Sequence, residues 1–180
     1  MIIKKYFIAI VIPEPFQTEI MAFKQLIKER YNSNAALRSP AHITLHMPFE
    51  WKEEKESVLI ESLRQFSFKE DFIIELQNFS AFAPRVIFVD VVKNELLVKL
   101  QNDLVIYMKT NLRLFNQADD MRGFHPHVTI AFRDLRKEKF LEAFTYFKTQ
   151  NYTASFKVAC FCLLKHTGKE WQVFKEFSIS

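Results

Sequence analysis

The chain has 180 residues and a net charge of +4, and it contains 20 Phe but only two Gly. So few glycines exclude the Gly-rich loops that cradle phosphates in P-loop and dinucleotide-binding proteins. The length suits one domain, or two small lobes that share a core, and an apolar content of 49% makes a sizeable core available. The first half has 11 basic and 12 acidic residues and the second half 14 and 9, so the second half is suited to an anionic partner.

Hydrophobic periodicity predicts two strands and two helices in the first half of the chain. β-branched and aromatic runs are typical of strands, whereas apolar residues that recur every three or four positions are typical of amphipathic helices. The predicted elements are a strand over 4–12 that Pro13 and Pro15 end, a helix over 16–31, a loop over 32–40, a strand over 42–47 that Pro48 ends, and a helix over 52–66.

The second half also interleaves strands with helices, and it adds hairpins. The predicted elements are strands over 71–82 and 85–92 around an Ala83-Pro84 turn, a helix over 95–114, a loop over 115–124, a strand over 127–132, a helix over 135–147, and strands over 156–164 and 171–179 around a turn over 166–169. This order predicts an α+β fold with mixed or antiparallel sheets and flanking helices, rather than a doubly wound parallel sheet.

Two features bear on the cellular compartment. The apolar run over 2–12 is short and leads into a Pro-Glu-Pro stretch without a small-residue cleavage site, so we interpret it as a first strand and not as a signal peptide or a membrane span. Cys160 and Cys162 lie two residues apart on a predicted strand, which is poor geometry for a disulfide, so we expect core thiols in a reducing compartment. The cytoplasm is therefore the predicted location.

Two short segments carry the same pattern, a His and a Thr two residues apart within an apolar run. They are residues 42–44 (His-Ile-Thr) and residues 127–129 (His-Val-Thr), and they lie 85 residues apart. Because strand side chains alternate between faces, each His shares a face with its Thr. A strand and a helix precede each motif strand, which predicts two lobes related by a pseudo-twofold axis, with both motifs at a central cleft.

Two imidazoles and two hydroxyls at one cleft are suited to acid–base chemistry on a phosphodiester. Cleavage needs a base for the attacking oxygen and an acid for the leaving oxygen, and His serves in both roles near neutral pH. A Thr hydroxyl on the same face can donate a hydrogen bond to a phosphoryl oxygen. The scheme requires no metal or other cofactor, and it predicts a bell-shaped pH profile because one His must be neutral and the other protonated.

The paired motifs resemble those of the two-histidine (2H) phosphoesterase superfamily, in its branch of 2′-5′ RNA ligase-like and RNA cyclic phosphodiesterase proteins. Further similar segments are the opening strand over 6–10, the strand over 84–89, the segment 124–130 and the closing hairpin over 156–177, so the resemblance covers essentially the whole chain. It implies a single bilobal domain over 1–180 that works without a metal, with the motif strands lining the cleft.

The resemblance also implies roles for the four motif residues. His42 and His127 are the general acid and base, and Thr44 and Thr129 bind the phosphate. Which His is the base depends on the attacking oxygen, and for hydrolysis we favour His127 as base and His42 as acid. The implied substrate is a 2′,3′-cyclic or 2′-5′ phosphodiester of an RNA end or a nucleotide, hydrolysed or reversibly ligated. We expect a monomer and no membrane partner.

Three further residues are candidates for contact with the substrate. By strand alternation His46 shares a face with His42, so it borders the cleft or belongs to its rim. Phe88 stands at an aromatic position of the family, where it either stacks on a base or belongs to the core. Arg133 stands one residue beyond the position of a frequent family Arg, where this chain has Phe132, and a one-residue shift on a strand reverses the face.

A zinc site is the less favoured interpretation of the histidines. His42 and His46 are spaced roughly 13 Å apart along a strand, which is too far for one ion. Two other functions stay open: a small-molecule cyclic phosphodiesterase that does not act on RNA, and a non-catalytic nucleotide- or RNA-binding module of the same fold. Strong RNA binding predicts a steep salt dependence, which a small-molecule enzyme lacks.

Overall fold

The computed structural model describes residues 2–116 and 123–179, so residues 117–122 of the predicted loop lie outside the described residues. The described part forms eight strands and four α-helices, with 3₁₀ turns at Ala35–Arg38 and Glu53–Lys55. In chain order the elements are β1 (Ile3–Val11), α1 (Phe16–Tyr31), β2 (His42–Lys52), α2 (Glu56–Gln65), β3 (Ile73–Phe82), β4 (Val86–Val91), α3 (Glu95–Leu112), β5 (His127–Ala131), α4 (Lys137–Lys148), β6 (Thr153–Lys157), β7 (Cys160–His166) and β8 (Trp171–Ser178).

The strands form two four-stranded sheets in which neighbouring strands are antiparallel. Sheet A has the order β2-β1-β7-β8, and sheet B has the order β5-β4-β3-β6. Both motif strands, β2 and β5, are therefore edge strands, and these two edges contact each other. The predicted α+β fold with antiparallel sheets is confirmed, and the topology brings the two His-x-Thr segments to one junction between the sheets.

A unit of strand, helix and motif strand occurs once in each sheet. The helices of the two units are exchanged, in the sense that each helix packs against the motif strand of the other unit. The units are β1-α1-β2 in sheet A and β4-α3-β5 in sheet B. Helix α1 packs against β5, and helix α3 packs against β2. Gln101 on α3 donates from Nε2 to the Leu45 carbonyl at 3.3 Å, and Met47 N donates to Oδ1 of Asn116, beyond the end of α3, at 2.8 Å. Each motif strand is thus supported by the helix of the other unit.

Local sequence explains where helix α3 begins and where helix α1 ends. Helix α3 starts at Asn94, whose Oδ1 accepts a hydrogen bond from Leu97 N at 2.9 Å and satisfies an otherwise unpaired N–H. Helix α1 ends at Asn32, which adopts a left-handed conformation with φ of 53° and donates its N–H to the Lys28 carbonyl. Among the described helices, none combines the length and the apolar content that crossing a membrane requires.

One continuous core joins both sheets and all four helices. It receives one face of each motif strand, including the fully buried Ile43 and Val128. The opposite face of sheet A carries a separate small cluster, called here the second cluster, which consists of Phe7, Ala9, Cys162 and Leu164. The two cysteines are free thiols, as predicted. Sheet A is therefore apolar on both faces.

Most strand ends are within two residues of the prediction, and two strands differ by more. Pro48 does not end β2, which continues to Lys52, because β2 is an edge strand that bulges near Pro48 and needs no ladder hydrogen bond from it. The predicted strand over 156–164 is two strands: β6 pairs with β3 in sheet B and β7 pairs with β1 in sheet A. Val158 at this crossing is buried, so the apolar run continues across the break and conceals it from sequence analysis.

Candidate active site

The first motif lies on the face of sheet A that carries the second cluster. Thr44 is opposite Ala9, a member of that cluster, and His42 is opposite Val11, which packs against it. Directly opposed residues in an antiparallel pair project to the same side. Ile43 projects into the main core, so His42 and Thr44 are left half-buried at the junction with sheet B.

The second motif has the same arrangement on sheet B. His127 is opposite Asp90, and Thr129 is opposite Phe88. Val128 between them is fully buried in the main core, which leaves His127 and Thr129 half-buried on the other face. The contact between the edges β2 and β5 places the two motifs at one junction, where the charge of His127 acts on His42.

The two imidazole rings are oriented by equivalent backbone contacts. Nδ1 of His42 lies 2.7 Å from the Pro40 carbonyl oxygen, and Nδ1 of His127 lies 2.7 Å from the His125 carbonyl oxygen. Because a carbonyl oxygen only accepts hydrogen bonds, Nδ1 carries the proton in both neutral rings. Nε2 is then the atom that takes or gives a proton, and neither Nε2 has a hydrogen-bond partner among the described residues.

Each imidazole also packs against a Phe of the neighbouring strand. The ring centroids of Phe7 and His42 are 4.9 Å apart with an interplanar angle of 49°, and those of Phe88 and His127 are 4.9 Å apart with an angle of 50°. Both Phe side chains are buried. This packing limits ring rotation and removes water from one side of each imidazole.

Burial lowers the pKa of both motif histidines. The pKa of His42 falls to about 4, chiefly by desolvation; a backbone carbonyl opposes this, and the charges of Lys24 and His127 add to it. The pKa of His127 is also lowered chiefly by desolvation, while a backbone carbonyl and Asp90 oppose the shift and His125 adds to it. Both rings are therefore neutral at pH 7 in the free protein, and a bound anion favours protonation of either one.

The two Thr hydroxyls are available as donors at the same junction. Within residues 2–116 and 123–179, neither Thr44 Oγ1 nor Thr129 Oγ1 has a hydrogen-bond partner. A hydroxyl that is half-buried and unbonded is suited to a ligand that brings acceptor oxygens, such as a phosphate. The four motif residues thus supply two imidazoles and two hydroxyls, which are groups suited to proton transfer and to anion binding.

The expectation that His46 shares a face with His42 is wrong. Thr44 is opposite Ala9, yet the residue opposite Ile8 is His46, so β2 contains one extra residue at this point. Such a β-bulge reverses the alternation of faces. His46 is consequently buried in the main core, where its ring packs 5.4 Å from the Phe49 ring, and it does not border the motif residues.

The other two candidate residues are placed differently from each other. Phe88 is on the same face as the motif and 1% exposed, so its ring supports His127 from within the site. Arg133 is exposed, lies beyond the end of β5 with φ of 56°, and has its guanidinium 5.1 Å from the centre of the Phe132 ring. Strand alternation does not apply to Arg133, and its described contacts are not with the motif residues.

Sequence analysis missed two charged neighbours of the histidines. Lys24 lies on the buried face of α1 together with Ile20, Ile27 and Tyr31. A charged residue at a position where helical periodicity predicts an apolar one is the sequence signal that could have identified Lys24. Asp90 is on β4 opposite His127, and only the strand register identifies it.

The described residues contain no group of three or more His, Cys, Asp or Glu side chains that is arranged to hold a metal ion. The predicted zinc alternative therefore has no ligand set within residues 2–116 and 123–179. The two motif histidines are each bonded at Nδ1 to a backbone carbonyl and packed against a Phe, an arrangement that orients them for proton transfer.

Comparison with known proteins agrees with the class of protein that the fold and the paired motifs define. The family model described as the 2′-5′ RNA ligase superfamily matches residues 12–170. The chain therefore belongs to the 2′-5′ RNA ligase superfamily, which confirms the resemblance to 2H phosphoesterases.

Two bacterial relatives and a solved structure extend this result over the whole chain. A Geobacillus kaustophilus protein named a putative phosphoesterase is 31% identical over 179 residues, covering 97% of this chain and 96% of its own. A relative of the same kind from Geobacillus sp. (strain WCH70) is 30% identical, covering 89% and 90%. The fold is similar to that of Escherichia coli LigT in its apo form, with a TM-score of 0.66, 20% identity and coverage of 100% and 99%.

Proposed function

We propose that the protein is a metal-independent phosphoesterase that acts on a 2′,3′-cyclic or 2′-5′ phosphodiester of an RNA end or a nucleotide. His42 and His127 serve as general acid and base, and Thr44 and Thr129 hold the phosphoryl oxygens. In hydrolysis, water attacks phosphorus while one imidazole takes a proton from it. The bond from phosphorus to a ribose oxygen breaks as the other imidazole gives that oxygen a proton.

One observation carries this proposal: within residues 2–116 and 123–179, neither the Nε2 atoms of the two motif histidines nor the two motif Thr hydroxyls have a hydrogen-bond partner, and their strands meet at one junction. The equal Nδ1 contacts of 2.7 Å fix the same tautomer on both sides. General acid–base catalysis needs two such groups in opposite protonation states. An anionic substrate between them supplies the electrostatic attraction that allows one ring to be protonated despite its burial.

Membership in the 2′-5′ RNA ligase superfamily supports the choice of a phosphodiester substrate. Solved structures of E. coli LigT with similar folds include complexes with 3′-AMP and with ATP, which supports a nucleotide as the ligand to test here. Half of the chain carries a net positive charge, in keeping with an anionic substrate.

The test is turnover of 2′,3′-cyclic nucleotides, cyclic-ended RNA and 2′-5′-linked oligonucleotides in the presence of EDTA. We expect turnover by the unmodified protein and a loss of about 10²-fold or more in His42→Ala and in His127→Ala. His166→Ala is the matched control: it removes an imidazole outside both motifs, whose ring packs on Trp171 and is separated from His42 by Trp171 and Phe7. Unchanged activity in both motif variants contradicts the proposal.

The same assay separates the alternatives. Turnover of cyclic nucleotides with little salt dependence and none of RNA ends favours a small-molecule cyclic phosphodiesterase. Binding of nucleotides without turnover favours a binding module. Activity that EDTA abolishes contradicts the metal-independent chemistry.

A further inference from the structure

Helix α1 carries a charged side chain inside the core. Lys24 is 1% exposed and lies in the inward stripe of α1 with Ile20, Ile27 and Tyr31. Burying an ammonium group is unfavourable unless its N–H groups find acceptors. Lys24 therefore needs partners that an apolar residue at the same position would not require.

Those partners are backbone carbonyls of the segment that leads into β2. Lys24 Nζ donates to the carbonyl oxygens of Ala36 and Ser39, both at 2.9 Å. The next residue is Pro40, whose carbonyl orients the His42 ring. The contacts of Lys24 thus end one residue before the atom that sets the direction of the imidazole.

A second side chain of α1 holds the same segment. Ala41 N donates to Gln17 Oε1 at 2.6 Å, and Gln17 Nε2 donates to the Ala41 carbonyl at 3.1 Å. Lys24 and Gln17 together attach residues 36–41 to one helix. The Pro40 carbonyl lies between these two points of attachment.

Lys24 also acts on His42 through its charge. Burial is the largest cause of the lowered pKa of His42, and among the described residues the charges of Lys24 from α1 and His127 from β5 lower it further. Burial lowers the pKa of Lys24 itself to about 7. Lys24 is therefore mainly protonated between pH 4 and about 6.5. This interval extends from the lowered pKa of His42 to the ordinary pKa of a histidine.

We propose that Lys24 is a positioning residue that fixes the segment before β2, with the Pro40 carbonyl that orients His42, and that its charge adds to the effect of burial in disfavouring a protonated His42. Both rings are neutral in the free protein, and the Lys24 charge makes His42 the harder of the two to protonate, so we assign His42 as the base and His127 as the acid. This reverses the assignment that the sequence favoured. The effect on catalysis rests on the proposed function, whereas the effect on His42 protonation does not.

The direct test is an NMR titration of the His42 ring in the unmodified protein, in Lys24→Met and in Lys28→Met. Met keeps the length and the apolar stem of Lys but carries no charge. We expect the pKa of His42 to move upward in Lys24→Met but to stay below the ordinary value of about 6.5, because the burial of the ring is unchanged. It should stay in place in Lys28→Met, since Lys28 is an exposed residue one turn further along α1. An unchanged His42 pKa in folded Lys24→Met overturns the proposal.

Kinetics separate this inference from the proposed function. We expect Lys24→Met to lower kcat/KM about tenfold at pH 7 through misplacement of His42, and to shift the acidic limb of the pH profile to higher pH. Lys28→Met should do neither. An unmoved acidic limb overturns the role of Lys24. If the unmodified protein turns over no phosphodiester, the proposed function fails while the NMR shift still supports the inference.

Folding of the variant is checked by its Tm and its amide NMR spectrum, because Met leaves the Ala36 and Ser39 carbonyls without the Lys24 donor. If Lys24→Met does not fold, the unmodified protein decides the question. Loss of the Lys24 charge near pH 7 should then produce a small second step in the His42 ring resonances. A single His42 transition without that step overturns the proposal.

Discussion

Around His42 and around His127 the chain repeats one local geometry with different charged neighbours. Both rings contact the carbonyl two residues upstream at 2.7 Å and pack on a Phe at 4.9 Å. The Lys24 charge lowers the pKa of His42, whereas at His127 the charge of His125 lowers the pKa and that of Asp90 raises it. The repeated strand unit thus sets the position of each imidazole, and residues outside the motifs set how readily each one is protonated.

The largest expected effect is on catalysis, and it tests whether His42 and His127 act in the same chemical step. If one imidazole takes a proton while the other gives one, the double variant His42→Ala/His127→Ala should lose little more kcat/KM than the worse single variant, which loses about 10²-fold or more. Steady-state kinetics on a 2′,3′-cyclic nucleotide measures this. Losses that multiply would mean that the two halves contribute independently.

Replacing the Phe that packs on each imidazole tests whether the two histidine sites are equivalently packed. Phe7→Leu and Phe88→Leu should each lower the free energy of unfolding by about 1–2 kcal/mol, because each removes buried ring contacts with an imidazole. Denaturant unfolding measures both, and Phe115→Leu at an exposed position should change the free energy by less than about 0.5 kcal/mol. A large effect in only one of the two variants would show that the halves are not equivalently packed.

A substitution of Asp90 tests how the charged neighbours of His127 set its protonation. Asp90→Asn removes a charge that favours protonated His127, so the pKa of His127 should fall further while that of His42 stays in place. We expect kcat/KM to fall about two- to fivefold, the size of a partly exposed charge interaction. An NMR titration with Asp71→Asn, whose partner Lys157 is on β6, as the control provides the measurement. A rise in the His127 pKa would contradict the assigned role of Asp90.

The last expected effect is on stability in mild acid instead of on catalysis. The unfolded chain protonates its histidines near pH 6.5, but the folded protein protonates His42 only near pH 4. Stability should therefore decrease as the pH falls from about 6.5 to about 4, because the unfolded state binds the proton first. Tm measured across this range should depend less on pH in His42→Gln. An equal slope in both proteins would show that His42 is not the group responsible.

Strong periodicity and turn residues predicted most of the fold. Helix α1 has the predicted bounds, and the β3–β4 hairpin turns at Ala83-Pro84 as expected. The break between β6 and β7 was missed, because Val158 is as buried at the crossing as it would be within a strand. Hydrophobicity reports burial and does not distinguish which sheet a residue belongs to.

The placement of the site residues was predictable only where strand alternation is undisturbed. His42 and Thr44 precede the bulge and lie on the expected face, whereas His46 follows it and lies on the other. One inserted residue leaves no local mark in the sequence but reverses the side chains beyond it, until the second bulge near Pro48 restores the alternation at Phe49. The influence of Lys24 depends on the exchange of helices, which is a property of the tertiary fold.

The exchanged helices have a consequence for how the protein behaves among other copies of itself. An open edge strand offers unpaired backbone groups on which a strand of another chain can add, and this is a route to aggregation. On β2 the Leu45 carbonyl and the Met47 amide are already engaged by Gln101 and Asn116. These two backbone groups of β2 are therefore already hydrogen-bonded to side chains of the same molecule. A strand of another chain that added to this edge would have to displace them.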